Sequence, residues 1–278
     1  MNLYTINTGY FKLDGGAMFG VVPKTMWNKL NPADENNMCT WAMRCLLIEE
    51  GNRLVLIDNG IGNKQDEKFF SHYYLHGADS LDSSLKKHGF HRNDITDVIL
   101  THLHFDHCGG SIIREGDKLI PAFPNAQFWS NEQHWKWATE PNEREKASFL
   151  KDNILPIQES GQLAFYGKTE GFPSFIKIRQ AFGHTDAMML PEIEYKGKSI
   201  IFMADLLPSV AHLPIPYVMG YDMFPLTTLQ EKKSFLKEAV ERDAILFFEH
   251  DHVNECCSLQ QTEKGVRQKN CFKLSDLG

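Results

Sequence analysis

Short apolar, β-branched runs recur along the chain, and most of them end abruptly at a polar residue. Runs of this length and composition predict buried strands. They lie at Leu3–Thr8, Cys39–Glu49, Arg53–Asp58, Asp97–Thr101, Ala126–Ser130, Phe175–Ala181, Met188–Tyr195, Ser199–Ala204 and Ala244–Phe248. Apolar residues at helical spacing predict helices at Leu81–His88, Asn131–Thr139 and Leu229–Arg242. Strand-rich halves that are each followed by helices favour a layered α/β sandwich, and we expect one domain over residues 1–278.

Two apolar segments show neither the pattern of a strand nor the spacing of a helix. Phe11–Leu30 contains Gly15, Gly16 and Pro23, and we expect an ordered loop that covers a site, with plain core packing as the alternative. Leu206–Leu226 contains four prolines and so cannot be a regular helix. The tail from Asn254 is polar, and we expect little chemistry from it.

Composition and charge narrow the functional classes. The 278 residues are 42% hydrophobic, which is ample for a sizeable core, and the net charge of −7 argues against a nucleic-acid partner. No run approaches the roughly 18 apolar residues of a membrane span. The N-terminal residues lack the pattern of a signal peptide, so we expect a cytoplasmic protein. The six cysteines show no paired spacing and are expected to be reduced thiols.

The stretch Thr101–Gly110 carries the strongest chemical signal. It follows a predicted buried strand and places His102, His104, Asp106 and His107 within six residues. Imidazole and carboxylate together suit zinc or a similar divalent ion, whereas a histidine-rich surface loop is the alternative. The direction of Asp106 and His107 differs from that of the first two histidines, which suggests a second ion.

Three more metal-type residues directly follow predicted strands: His184, Asp205 and His250. Taken alone, either histidine would more often be a hydrogen-bonded structural residue. Together with the first stretch they supply five imidazoles and two carboxylates, enough for two ions with an open position for water. Asp58 also ends a strand, where it would either orient a metal-bound histidine or cap a turn.

These motifs resemble those of the metallo-β-lactamase-fold hydrolases, and the resemblance covers the chain nearly end to end. The matching pieces are Leu56–Gly60, Thr101–His107, Gly183–Thr185, Ala204–Asp205 and Phe248–Asp251. The resemblance implies a four-layer αββα sandwich with the site at one edge. It assigns His102, His104 and His184 to the first ion. The resemblance assigns the second ion to Asp106, His107 and His250, and Asp205 would bridge both ions. His252 is the alternative to His250 as a ligand.

Within this family the segment from Leu207 to Pro214 is similar to that of the N-acyl homoserine lactonase and methyl parathion hydrolase-like branch. This implies two divalent ions, with zinc favoured over manganese, iron or cobalt. A metal-bridging hydroxide would attack a lactone, an ester or a similar uncharged hydrophobic small molecule. Asp106 would relay a proton to the leaving group, and Tyr221 or Tyr217 would donate to the oxyanion. His212 is expected near the pocket rather than on a metal.

Different functions stay open on the sequence alone. A mononuclear-iron persulfide dioxygenase would use the same first three histidines, and a glyoxalase-type thioester hydrolase is a further candidate. A scaffold that kept the fold without activity is disfavoured by the full ligand set. The apolar segments would serve equally well as a lid or as the interface of a homodimer.

Overall fold

A computed structural model describes Met1–Leu277, and over these residues the chain forms fourteen strands and eight helices. The strands are β1 Asn2–Asp14, β2 Met38–Glu50, β3 Arg53–Ile57, β4 Asp97–Ile99, β5 Ile112–Glu115, β6 Lys118–Pro121, β7 Gln127–Ser130, β8 Leu163–Phe165, β9 Ile176–Ala181, β10 Met188–Tyr195, β11 Lys198–Phe202, β12 Ile245–Phe247, β13 Cys256–Thr262 and β14 Gly265–Phe272. The helices are α1 Gly15–Phe19, α2 Lys24–Trp27, α3 Glu67–Ser71, α4 Leu81–Lys87, α5 Phe105–Cys108, α6 Glu132–Thr139, α7 Lys151–Glu159 and α8 Pro225–Glu241.

Two six-stranded sheets contain all of these strands except β5 and β6, which pair with each other. Their strand orders are β1-β2-β3-β4-β7-β8 and β14-β13-β12-β11-β10-β9. In the first sheet β3, β4 and β7 are parallel neighbours, and in the second β11 is parallel to β12. Parallel strands end at the same edge of a sheet. Asp58 therefore lies beside the stretch that follows β4, and Asp205 lies beside His250.

The chain divides into two compact units. The first unit comprises Met1–Gly9, Met43–His72 and His76–Ser174. Its core packs Leu56, Val98 and Phe128 from three neighbouring strands against Leu85 of α4 and Ile157 of α7, and all five are buried. The second unit comprises Tyr10–Ala42, Tyr73–Leu75 and the chain from Phe175 onward. The expectation of a single domain over 1–278 stays a prediction.

Most predicted elements are confirmed within a few residues. The β2–β3 and β10–β11 hairpins form with antiparallel register. Helix α6 begins as predicted, because the side chain of Asn131 accepts a hydrogen bond from the backbone N–H of His134 at 2.8 Å. Gly89, with φ of 84°, ends the region of α4. All six cysteines are free thiols, as predicted, and five of them are buried.

Two predictions at element level were wrong. Phe11–Leu30 is not a loop: β1 continues to Asp14, whose carboxylate accepts from the N–H of Ala17 and caps α1. Helix α8 begins at Pro225 rather than Leu229, because proline at the first helical position lacks an N–H that would be unpaired there anyway. The polar tail, for which no strand was predicted, contains β13 and β14; β13 pairs with β12 on one side and with β14 on the other. Leu206–Leu226 has no regular helix, as expected, apart from one short 3₁₀ turn at Val210–His212 and the end of another.

Two glycines permit close backbone contacts beside the chemical motifs. A Cβ on Gly109 would lie 2.1 Å from the carbonyl oxygen of Ile61, so this position lets the loop after α5 pack on the segment after β3. A Cβ on Gly183 would lie 2.2 Å from Oγ1 of Thr228. No helix among the described residues is both long and apolar enough to cross a bilayer. The cytoplasmic location stays a prediction.

Candidate metal centre

In the first unit, the stretch after β4 buries every one of its candidate ligands. His102 and His104 precede the short helix α5, and Asp106 and His107 lie within it. The backbone N–H of Leu103 donates to Nε2 of His134 at 2.9 Å, so the buried histidine of α6 holds this stretch in place. His134 therefore supports the candidate ligands from the neighbouring helix.

The two histidines of the pair His102 and His104 point ring nitrogens at each other. Nε2 of His102 lies 3.1 Å from Nδ1 of His104. The hydroxyl of Thr101 donates to Asp58 at 2.6 Å and therefore accepts from Nδ1 of His102 at 3.1 Å. Nε2 of His104 donates to Glu145 at 3.0 Å. Each imidazole thus has its N–H bonded, and the two lone pairs face one buried point, as they would around a cation.

His107 is held in the same manner by Asp58. Its Nδ1 lies 3.1 Å from Oδ2 of Asp58, while its Nε2 lies 3.8 Å from Oδ2 of Asp106. Asp58 has a left-handed backbone with φ of 55°, an uncommon conformation that turns its carboxylate toward His107 and Thr101. Of the two roles expected for Asp58, the structure shows the one in which it orients a histidine.

In the second unit, Asp205 presents one carboxylate oxygen to each of two histidines. Oδ2 lies 3.1 Å from Nε2 of His184, and Oδ1 lies 3.2 Å from Nε2 of His250. The other nitrogen of each ring is already bonded. Nδ1 of His184 pairs with Asp222 at 2.9 Å, and Nδ1 of His250 donates to the carbonyl of Ala42 at 2.8 Å. Ala204, directly before Asp205, is again left-handed, with φ of 40°.

The electrostatics of this group favour a cation. Burial lowers the pKa of His184, but Asp205 and Asp222 outweigh burial and raise it to about 10. Two carboxylates around one buried imidazole thus hold a positive charge there. A divalent ion would balance the charge of the Asp205 carboxylate while the imidazole of His184 stays neutral. The donor sets of both units, imidazole nitrogen with carboxylate oxygen, therefore fit divalent metal ions of the zinc type.

Two carboxylates in these contacts were not predicted from the sequence. Glu145 is buried and accepts from Nε2 of His104 and from the indole N–H of Trp137. Asp222 holds His184 across 38 positions of chain. Glu145 lies in a charged run that is typical of a solvated surface, and Asp222 lies in an irregular segment. No local signal distinguishes either residue.

The remaining predicted residues occupy different surroundings. Tyr221 is 38% exposed, and the Tyr217 ring lies edge-on to Phe19 at 6.3 Å. His212 is buried, stacks on Phe19 at 4.7 Å and bonds to Ser209 and the carbonyl of Met18. Burial lowers its pKa to about 3, so it stays neutral.

His252 and Cys108 both lie apart from these contacts. His252 lies on the wall of a surface groove of about 470 Å³ in the second unit, with Lys29 and Arg267, whereas His250 faces Asp205. Cys108 faces the core as expected and donates to the carbonyl of Leu103, and burial raises the pKa of its thiol to about 12.

Comparison with known proteins agrees with this chemistry. Residues 44–250 match the family model described as "Metallo-beta-lactamase superfamily". An N-acyl homoserine lactonase of Bacillus thuringiensis is 26% identical over 237 residues, which cover 80% of this chain and 85% of that protein.

Solved structures give the same picture of the fold. A probable metal-dependent hydrolase from Staphylococcus aureus aligns with a TM-score of 0.88 and 28% identity, covering 98% of this chain and 96% of its own. The dizinc quorum-quenching lactonase AidC aligns with a TM-score of 0.80 and 23% identity, covering 98% of this chain and 95% of its own. The predicted family resemblance and the predicted α/β fold class are thereby confirmed.

Proposed function

Because the chain belongs to the metallo-β-lactamase superfamily and is a metal-dependent hydrolase, we propose that it hydrolyses lactones through a dinuclear metal site. The observation that carries this proposal is the carboxylate of Asp205, with one oxygen toward His184 and the other toward His250. A carboxylate whose oxygens serve two separate imidazoles is suited to bridge two ions.

The proposed ligand sets follow the family motifs. His102, His104 and His184 would hold the first ion, and Asp106, His107 and His250 the second, with Asp205 shared. Zinc is the proposed metal, since imidazole and carboxylate ligands in a buried site suit it; manganese, iron and cobalt are the other candidates. The sets draw support from the hydrogen bond that each histidine makes through its other nitrogen, which fixes the ring.

Such a pair of ions would supply a water that is nucleophilic at neutral pH and a Lewis acid for the carbonyl oxygen of the substrate. The protein side chains would position and protonate the reactants. Asp106 is a buried residue that is 7% exposed. Its carboxylate would carry the proton from the attacking water to the leaving alkoxide. Tyr221, partly exposed, would donate its phenolic O–H to the oxyanion that develops on the substrate.

The proposed substrate is an uncharged small molecule with an apolar chain. Support comes from exposed apolar side chains of the second unit, among them Val21, Phe224 and Leu226. Exposed apolar side chains of this kind are typical of a surface that binds apolar ligands or a second subunit. A homodimer stays a prediction.

A substrate panel tests the proposal. The zinc-loaded full chain would be assayed with acyl-homoserine lactones, aryl esters, phosphotriesters, glutathione thioesters and phosphodiesters, by pH-stat or product absorbance. We expect the highest kcat/KM on a lactone, and a loss of about 10²-fold or more in Asp106→Asn, which keeps the shape but removes the carboxylate that is proposed both as a metal ligand and as the base. Activity confined to thioesters, or oxygen consumption with one iron per chain, would refute the proposal.

A further inference from the structure

A buried lysine ties down the irregular segment that precedes α8. Lys232 is 1% exposed, and its ammonium group donates to the carbonyl oxygens of Tyr217 at 2.7 Å, Pro214 at 3.1 Å and Ile215 at 3.4 Å. The segment contains Pro214 and Pro216 and forms no regular helix or strand, although the backbone N–H of Tyr217 donates to the carbonyl of Pro214 at 3.0 Å. The ammonium of Lys232 adds donors to all three carbonyls.

The same segment then delivers a carboxylate to a candidate metal ligand. Asp222, five residues beyond Tyr217, pairs with Nδ1 of His184 at 2.9 Å. The backbone N–H of Met223 donates to the carbonyl of His184 at 3.0 Å, and that of Phe224 donates to Gly183 at 2.8 Å. Residues 222–224 are thus fastened to the His184 loop by both side chain and backbone.

Electrostatics connect the two ends of this arrangement. Burial of the Lys232 ammonium lowers its pKa to about 7, and Asp222 is the charged group that opposes this effect. A buried cation is costly unless its surroundings stabilise it. Three carbonyl contacts and the charge of Asp222 oppose the effect of burial on the Lys232 ammonium.

We propose that Lys232 is a positioning residue for the metal centre, which anchors segment 214–222 so that Asp222 fixes the ring of His184 for metal binding. The inference rests on the proposed function only in taking His184 as a metal ligand, and it holds whatever the substrate is. Lys232 is not one of the proposed metal ligands, and its effect passes through Asp222.

Zinc affinity of the full chain tests this directly, by competition with a chromophoric chelator. The variants are Asp222→Asn, Lys232→Met and the double variant, with Lys233→Met as the matched control, since Lys233 is the exposed neighbour on the same helix. We expect Asp222→Asn to weaken zinc binding about 10–100-fold and Lys232→Met about 10-fold, with Lys233→Met unchanged. The visible spectrum of the cobalt(II)-loaded protein should change in both weakened variants and not in the control.

The double variant separates positioning from general stability. If Lys232 acts through Asp222, Lys232→Met adds less than about twofold when Asp222 is already Asn. Fully additive losses, or a lower melting temperature of Lys232→Met with wild-type zinc affinity and cobalt spectrum, would overturn the proposal. Lys232→Arg, which keeps a cation with N–H donors, should recover part of the affinity; if Lys232→Met does not fold, Lys232→Gln replaces it in the cycle. A wild type that binds zinc but opens no lactone would contradict the proposed function and leave this inference standing.

Discussion

Five imidazoles in the two units share one arrangement: a neighbouring group bonds one ring nitrogen and leaves the other for a ligand. The partners are the hydroxyl of Thr101, the carboxylates of Glu145, Asp58 and Asp222, and the carbonyl of Ala42. A carboxylate behind a histidine fixes its tautomer and raises its basicity toward a metal. Such repeated bonding is not required of histidines that merely fill a core.

Removing a candidate ligand should therefore cost metal rather than fold. We expect His104→Ala or Asp205→Ala to reduce the bound metal from two ions per chain to one or none, and to lower kcat by at least about 10²-fold. His72→Ala is the matched control, because His72 is an exposed histidine at the end of α3. Metal analysis after dialysis measures the outcome, and two retained ions with near-wild-type activity in either ligand variant would contradict the assignment.

The candidate ligands were easier to identify from the sequence than the residues that hold them in place. His102, His104, Asp106 and His107 form a local pattern, and Asp58 follows a recognisable strand. Glu145 and Asp222 reach their histidines across 41 and 38 positions, and no periodicity in the sequence encodes such a contact. The chemistry of a metal ligand restricts its residue type strongly, whereas the N–H at the second nitrogen of an imidazole can donate to a carboxylate, a carbonyl or a hydroxyl oxygen from any part of the chain.

At the scale of elements, most candidate ligands follow strands that have a parallel neighbour, namely β4, β11 and β12, whereas His184 follows β9, which is antiparallel to β10. The strands β3 and β4, and β11 and β12, have short apolar cores that periodicity identifies well. The strands β5, β6 and β8 were missed because three or four residues are too few to show a period, and the tail strands β13 and β14 because most of their residues are polar. The helix α7 was missed too, because Pro156 interrupts its pattern.

One buried ion cluster connects β9, β10 and α8 in the second unit. Glu192 on β10 is buried and bonds Arg179 of β9 at 2.7 Å, Arg242 just after α8, and the hydroxyl of Ser199 at 2.8 Å. Burial raises the pKa of Glu192, but the two arginines outweigh it and lower the value to about 2. A depressed carboxyl pKa contributes stability above the unfolded value of 4.5, and the contribution is lost as the pH falls through 2.

Glu192→Gln should accordingly destabilise the folded protein by about 2 kcal/mol at pH 7, because the charged hydrogen bonds between the Glu192 carboxylate and the two arginines are lost. The loss of stability should be smaller at pH 3.5. Glu263→Gln is the control, because Glu263 is an exposed glutamate in the turn between β13 and β14. Urea unfolding followed by circular dichroism at both pH values gives the comparison. An equal cost at pH 3.5 and pH 7 would show that the charge of Glu192 contributes nothing.

At the scale of the whole molecule, metal binding and folding are coupled. An ion that binds only the folded chain stabilises it by an amount that grows with occupancy, about 2.7 kcal/mol at 100 times the dissociation constant. In the metal-free protein a proton on His184 partly takes the place of that ion, because the pKa of His184 is raised from 6.5 to about 10. Zinc must displace this proton, so metal binding should strengthen as the pH rises.

The melting temperatures of zinc-loaded and chelator-stripped protein should therefore diverge as the pH rises from 6.5 to 9. A raised histidine pKa contributes stability that is complete below the unfolded value of 6.5 and disappears as the pH passes through the folded value of about 10. The stripped protein loses this contribution across the range, whereas the loaded protein keeps a neutral His184 on its ion. Calorimetry of both forms at pH 6.5 and 9 measures the gap, with His72→Ala as the control. A gap that stays constant or narrows would mean that His184 does not exchange a proton for a metal ion.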